Sequence, residues 1–313
     1  MRFGVQIEPQ FGFSYDDVRA VAQRAEASGF YGLWCSDHFF LNDASEEINC
    51  LECWTVLAAL ARDTKSLRLG PLVSCTSYRH PALLAKVAAS IDHLSGGRLE
   101  FGLGAGWKEI EYAAFGFRFP SAGARGARLA GALHVVKAMW TQPKASYAGE
   151  FYTIKDAFCA PKPTQKPHPP IWVGGGKPRV LDICARHADG INFIPFPTPE
   201  QYAEKLEALK RACQRHGRDP DAVRKSHFTQ MFIAETEAEV EAMLAQAAQR
   251  RNTTVEKLRQ ALAPGFVGTP EQCAAQIRRY GELGVDTLML MFPYQTELDG
   301  VRLVGQHLVP EFS

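Results

Sequence analysis

The sequence predicts a closed (β/α)₈ TIM barrel with insertions at its C-terminal face, and three observations predict it. Short apolar runs alternate with longer amphipathic segments along the chain. The alternation repeats eight times, which closes a parallel barrel rather than leaving an open sheet. Several of the apolar runs are nearly continuous, as strands covered on both faces are.

The runs read as strands fall at residues 3–7, 32–35, 67–75, 99–103, 171–173, 190–194, 226–234 and 287–292. The segments read as helices are 15–28, 53–64, 82–94, 125–140, 179–187, 199–216, 237–251 and 270–283. Local signals agree. Ser14 precedes Tyr15-Asp16-Asp17 as an N-cap with acids in the first turn, and Gly29 follows as the terminator. Thr269-Pro270-Glu271 opens the last helix with a cap, a proline at the first position and an acid. Residues 141–169 lack helical periodicity. Tyr147–Ile154 reads there as a β-hairpin or short extended insertion, and Pro161, Pro163, Pro167, Pro169 and Pro170 make a stiff return. Residues 252–265 read as a second irregular region. The chain is thus read as a single barrel domain over residues 1–313 with an insertion at 141–169.

The bulk numbers exclude several classes. With 35 basic and 34 acidic residues, nothing electrostatic favours nucleic acid or an anionic membrane. No apolar stretch approaches membrane-spanning length, and the N-terminus is too short and alternating for a signal peptide. The eight scattered cysteines then read as free thiols in the cytoplasm. Cys50 and Cys53 have CxxC spacing but no second pair, so they read as ordinary thiols. No His, Asp and Glu group has metal-ligand spacing.

Barrel chemistry sits where strands end. The second strand ends in Ser36-Asp37-His38-Phe39-Phe40. His38 can give or take a proton near neutral pH, and Asp37 can accept a hydrogen bond from a ring N–H or a hydroxyl. The third ends in Ser74-Cys75-Thr76, small polar groups able to face a planar heterocycle, with Cys75 a buried thiol and His80 the opener of the next helix. The fourth ends in Gly104-Ala105-Gly106-Trp107, where alternate glycines admit a ring system or phosphate. The fifth ends in Gly174-Gly175-Gly176-Lys177 before a helix, an anion cradle by its free N–H groups and its lysine. His227 lies at the wrong end of its strand for catalysis and reads as packing.

These motifs, with Ala25-Glu26-Ala27-Ser28-Gly29-Phe30, Arg79-His80-Pro81 and Asp92-His93-Leu94-Ser95-Gly96-Gly97-Arg98-Leu99, resemble the luciferase-like monooxygenase superfamily, specifically its branch of F420-dependent oxidoreductases. The resemblance spans nearly the whole chain. It implies a deazaflavin, coenzyme F420, at the barrel mouth, with FMN as the alternative. It implies Asp37 and His38 near cofactor and substrate, and Ser74-Cys75 as a bulge with a non-proline cis peptide behind the ring. Thr76 would touch the ring's polar edge, Gly104 and Gly106 would line the cofactor's side chain, and Gly175 and Gly176 would bind its phosphate. Family members are commonly dimers, which implies a homodimer. One departure is informative: relatives that oxidise sugar phosphates carry a glutamate where this chain has Trp107, and a tryptophan where it has Asn42.

The resulting expectation is hydride transfer between reduced F420 and an apolar or aromatic small-molecule acceptor such as an unsaturated carbonyl or imine. His38 would be the proton donor, Asp37 would hold the cofactor or orient His38, and Phe39, Phe40 and Trp107 would wall the substrate pocket. The rival expectations are an FMNH2-dependent monooxygenase using oxygen and a non-catalytic flavin-binding barrel.

Overall fold

The computed structural model describes residues 1–312. Its strands, in chain order, are β1 (Arg2–Ile7), β2 (Gly32–Cys35), β3 (Arg68–Pro71), β4 (Ser74–Cys75), β5 (Phe101–Gly104), β6 (Ala145–Ala148), β7 (Thr153–Ala157), β8 (Ile171–Gly174), β9 (Gly190–Asn192), β10 (Arg224–Ile233), β11 (Phe266–Gly268) and β12 (Thr287–Met291). The main sheet runs β3-β2-β1-β12-β10-β9-β8-β5-β4, parallel throughout. β3 and β4 are two halves of one expected strand, so the order begins and ends on the same stave. A bridge from Leu69 to Leu99 completes the ring. The result is a nearly closed (β/α)₈ barrel.

The expected long strand at 67–75 is broken because residues 72 and 73 leave the ladder, with a cis peptide between Leu72 and Val73. The non-proline cis peptide thus lies next to Ser74-Cys75, where the resemblance implied one.

Amphipathic helices cover the outside of the sheet, among them Tyr15–Ala27, Pro81–Leu94, Ala122–Thr141, Pro178–His187 and Pro199–Arg215. Their ends follow local chemistry. Ser14 and Asp17 form a reciprocal capping box. The His80 ring accepts from Ala82 N–H and caps the helix that Pro81 opens. Residues 145–157 form an antiparallel hairpin, β6 with β7.

The region 252–265 departs from the irregular reading. Val255–Ala261 is helical, capped by the Thr254 side chain, and β11 then pairs in parallel with the outer half of β10. The helix is short, seven residues, with only Val255, Leu258 and Ala261 apolar, so its helical period left little trace.

Side chains fill the barrel. Trp34 and Trp172 lie inside, fully buried, and the neighbouring staves make room with glycine: a Cβ on Gly4 would stand 2.1 Å from Trp34, and one on Gly190 2.3 Å from Trp172. At the N-terminal end, buried Glu100 accepts from Tyr31 Oη and Trp172 Nε1, each at 2.5 Å, and pairs with Arg68 and Arg224. This charged plug closes the N-terminal end of the barrel. Among the described residues, no helix is long and apolar enough to cross a membrane.

Candidate active site

The mouth is built from the ends of β2, β4, β5 and β8. β5 and β8 pair with Gly104 opposite Gly174, and β8 and β9 with Gly174 opposite Asn192, so the glycine-rich ends are adjacent.

His38 leaves the end of β2 with its side chain 17% exposed. Its ring meets Trp107 edge to face, centroids 5.6 Å apart. Its Nδ1 lies 2.9 Å from Glu111 Oε2. Glu111 stands on the short helix Glu109–Ala114, and its carboxyl is fully buried. It also accepts from Tyr78 Oη at 2.7 Å, Phe39 N–H at 2.7 Å, Phe40 N–H at 3.4 Å and Lys108 Nζ at 3.2 Å. Burial opposes its ionisation. The hydrogen bond and charge of His38, the Tyr78 hydroxyl and the Phe39 N–H outweigh that and hold the carboxyl down at about 2.

Asp37 does not orient His38. It is 4% exposed and committed elsewhere: Arg79 grips it through both terminal nitrogens, at 2.7 and 3.0 Å, while Ser74 Oγ–H and Cys75 N–H donate to it at 2.9 and 3.0 Å. A four-donor carboxylate has little capacity left for a cofactor or a histidine. It pins β4 to the end of β2.

Ser74 is fully buried, donating to Asp37 and accepting from the Trp54 indole at 3.0 Å. Thr76 Oγ1 donates to Gly104 O at 2.5 Å and keeps only acceptor capacity. Cys75 Sγ faces Tyr112 Oη at 3.2 Å, and burial pushes its thiol up to about 11. The space beside Gly104 is taken by Val73, whose Cγ2 would be 2.6 Å from a Cβ there. Gly106 has φ +81° and would direct a Cβ into the Tyr112 hydroxyl. Gly104 and Gly106 therefore admit protein side chains at these positions.

Of the three aromatics expected to wall a substrate, Trp107 is the open one, 67% exposed beside His38. Phe39 stacks on Phe115 at 4.2 Å and leans on Tyr78 at 4.6 Å. Phe40 lies 6.4 Å from Phe115 and under Lys108 Nζ at 5.0 Å.

At the end of β8, Gly175 N–H is already donated to Asn192 O at 2.9 Å. The N–H groups of Gly176, Lys177 and Arg179 have no partner among the described residues, and they open the helix Pro178–His187. Lys205 joins them from the helix Pro199–Arg215: its Nζ would be 2.7 Å from a Cβ on Gly176. Lys177, Arg179 and Lys205 have no acidic partner among the described residues. N–H groups at a helix start with the Lys205 ammonium beside them fit a phosphate.

Two residues escaped the sequence reading. Glu111 follows Lys108 by one helical step directly after Trp107, a signal that was present and small. Lys205 lies far along the chain on an ordinary charged helix, and only the fold brings it to Gly176.

Comparison with known proteins gives a consistent picture. The family model for luciferase-like monooxygenases matches residues 1–287. The F420-dependent glucose-6-phosphate dehydrogenase of Microbacterium testaceum is 26% identical, over 99% of this chain and 97% of that one. The FMNH2-dependent dimethylsulfone monooxygenase of Pseudomonas putida is 27% identical, over 97% and 90%. The crystal structure of monooxygenase RslO1 from Streptomyces bottropensis superposes with a TM-score of 0.82 at 25% identity, over 100% of both chains.

Proposed function

The chain belongs to the luciferase-like monooxygenase family, and from that membership we propose that it is an oxidoreductase using coenzyme F420 to reduce an apolar or aromatic organic acceptor. The observation that carries the reading is the anion cradle: partner-free N–H groups at 176, 177 and 179, with the Lys205 ammonium beside Gly176. Free N–H groups with a lysine beside them suit an anionic cofactor, and F420 offers its phosphodiester there.

The reduced deazaflavin, when bound, supplies hydride from its C5 to an acceptor such as an unsaturated carbonyl or imine. The chain's own residues bind, shield and manage a proton. The cradle holds the charged end. Trp107 covers one side of the reacting centre and limits water there. His38 presents a protonated ring nitrogen to the acceptor atom that gains negative charge, a contribution of ~10²–10⁴-fold in rate. Asp37 acts indirectly, by fixing the β2–β4 junction on which His38 stands. We read residues 1–313 as one barrel domain and the active form as a cytoplasmic homodimer.

The rivals are an FMNH2-dependent monooxygenase and a flavin-binding barrel without turnover. Titration of the purified protein with F420 and with FMN, followed by tryptophan fluorescence, decides among them. Tight F420 binding with reduction of an enone or imine is the expected result. Binding of FMN alone overturns the F420 reading, and tight binding without turnover on any acceptor supports the binding protein.

A further inference from the structure

We propose that Glu111 is the positioning residue for His38, fixing which imidazole nitrogen faces the mouth; this rests on His38 as the proton donor.

Every group around the Glu111 carboxylate is a donor: Tyr78 O–H, Phe39 and Phe40 N–H and the Lys108 ammonium. An ionised carboxylate only accepts, so the His38 nitrogen that meets it at 2.9 Å must carry hydrogen. The neutral ring is thereby held as the Nδ1–H tautomer. Nε2 then accepts a proton in the neutral ring and donates one in the imidazolium, so a single atom serves both directions of transfer. That atom has no partner among the described residues. The Nδ1 edge rests on a fully buried carboxyl, while the side chain as a whole keeps 17% exposure.

Two features make the device specific. The same carboxylate binds Phe39 N–H, so it fixes both the ring and the backbone that follows it. Lys108, with its side chain 10% exposed, supplies a permanent positive charge to Glu111. His38 can therefore lose its proton without leaving a buried carboxylate uncompensated. The other titratable groups that face the pair are Tyr78 and Cys50. Burial raises both, the hydrogen bond to Glu111 adds to the Tyr78 shift, and Cys50 is pushed up to about 11, so both stay neutral.

The test is nitrogen NMR of the His38 ring in the protein without added cofactor. The neutral ring is expected as Nδ1–H; an Nε2–H tautomer overturns the proposal without any variant being made. In Glu111→Gln the carboxamide can also donate to Nδ1, so the single tautomer is expected to give way to a mixture that includes Nε2–H. An unchanged tautomer in folded Glu111→Gln also overturns it. The turnover of F420-loaded Glu111→Gln separates the two ideas. If the tautomer changes and the rate falls, both stand. If the tautomer changes and the rate stays, Glu111 still positions the ring while His38 is not the donor.

Discussion

Arg79 closes on Asp37 through two hydrogen bonds, 2.7 and 3.0 Å long, at a carboxylate that also holds Ser74 and Cys75. The pair is a tie between the end of β2 and the segment after β4. Asp37→Ala leaves the Arg79 guanidinium with Glu52 as its remaining carboxylate partner and frees two β4 donors. The expected loss is about 3 kcal/mol, at the lower end for breaking a buried pair because Glu52 remains. Urea denaturation measures it. A variant as stable as the parent would remove the structural role of Asp37 and return it to the list of cofactor contacts.

Lys205 is the clean probe of the anion cradle. Gly175 is a poor one, since its φ is +149° and a Cβ there would lie 2.7 Å from Val180 Cγ1, so a side chain disturbs the loop itself. Lys205→Met keeps the stem and removes the charge. Cofactor affinity is expected to fall about tenfold, near the lower limit for a hydrogen bond to a charged group. The loss shrinks as salt is raised. Equal affinities for parent and variant at low salt would place the phosphate elsewhere.

Val73 fills the space between the glycines of β5 and β8. A Cβ on Gly104 would stand 2.6 Å from Val73 Cγ2, and one on Gly174 2.8 Å from the same atom. Gly104→Ala is expected to cost roughly 1–3 kcal/mol by overpacking. Adding Val73→Ala returns the missing volume, so the double variant should recover part of that loss. A double-mutant cycle with no coupling energy would contradict the packing argument.

His38→Ala should lower the single-turnover hydride rate by ~10²–10⁴-fold while cofactor affinity changes little, the pattern of a lost transition-state interaction. Rapid-mixing absorbance at saturating cofactor reads the rate, and equilibrium titration reads the affinity. The reverse pattern, weak binding with a normal rate once saturated, assigns His38 to cofactor binding.

His227 makes stability depend on pH. It is fully buried, stacked on Tyr280 at 4.0 Å, with one ring nitrogen on Pro264 O at 2.9 Å and Nδ1 unpartnered. Burial lowers its pKa to about 4. The unfolded chain titrates at ~6.5, so below that pH it binds a proton that the folded protein refuses. The associated stability is complete above ~6.5 and is lost as pH falls toward 4, on the order of 3 kcal/mol. His187, also lowered to about 4 by burial and its cationic neighbours, acts in the same direction. Unfolding free energies of the parent and His227→Phe between pH 7.5 and 4.5 measure it. The variant should show a shallower decline, and parallel curves would exclude His227 as a source.

The sequence by itself determined the barrel, because a βα rhythm is local. Each stave and helix is written in contiguous residues, and caps such as Ser14 with Asp17 and His80 before Pro81 end elements within a few positions. It also located the mouth, since strand ends are visible in the same pattern, and His38, Trp107 and Gly176 fall there. Only the tertiary structure decided which of those groups are free to act. Asp37 looked available until Arg79 closed on it, and Gly104 looked open until Val73 filled it. Glu111 became the partner of His38 across 73 positions, and Lys205 reached Gly176 from another helix. Periodicity reports the face on which a side chain lies. Which donor meets which acceptor depends on distances between elements, and those exist only once the barrel has closed.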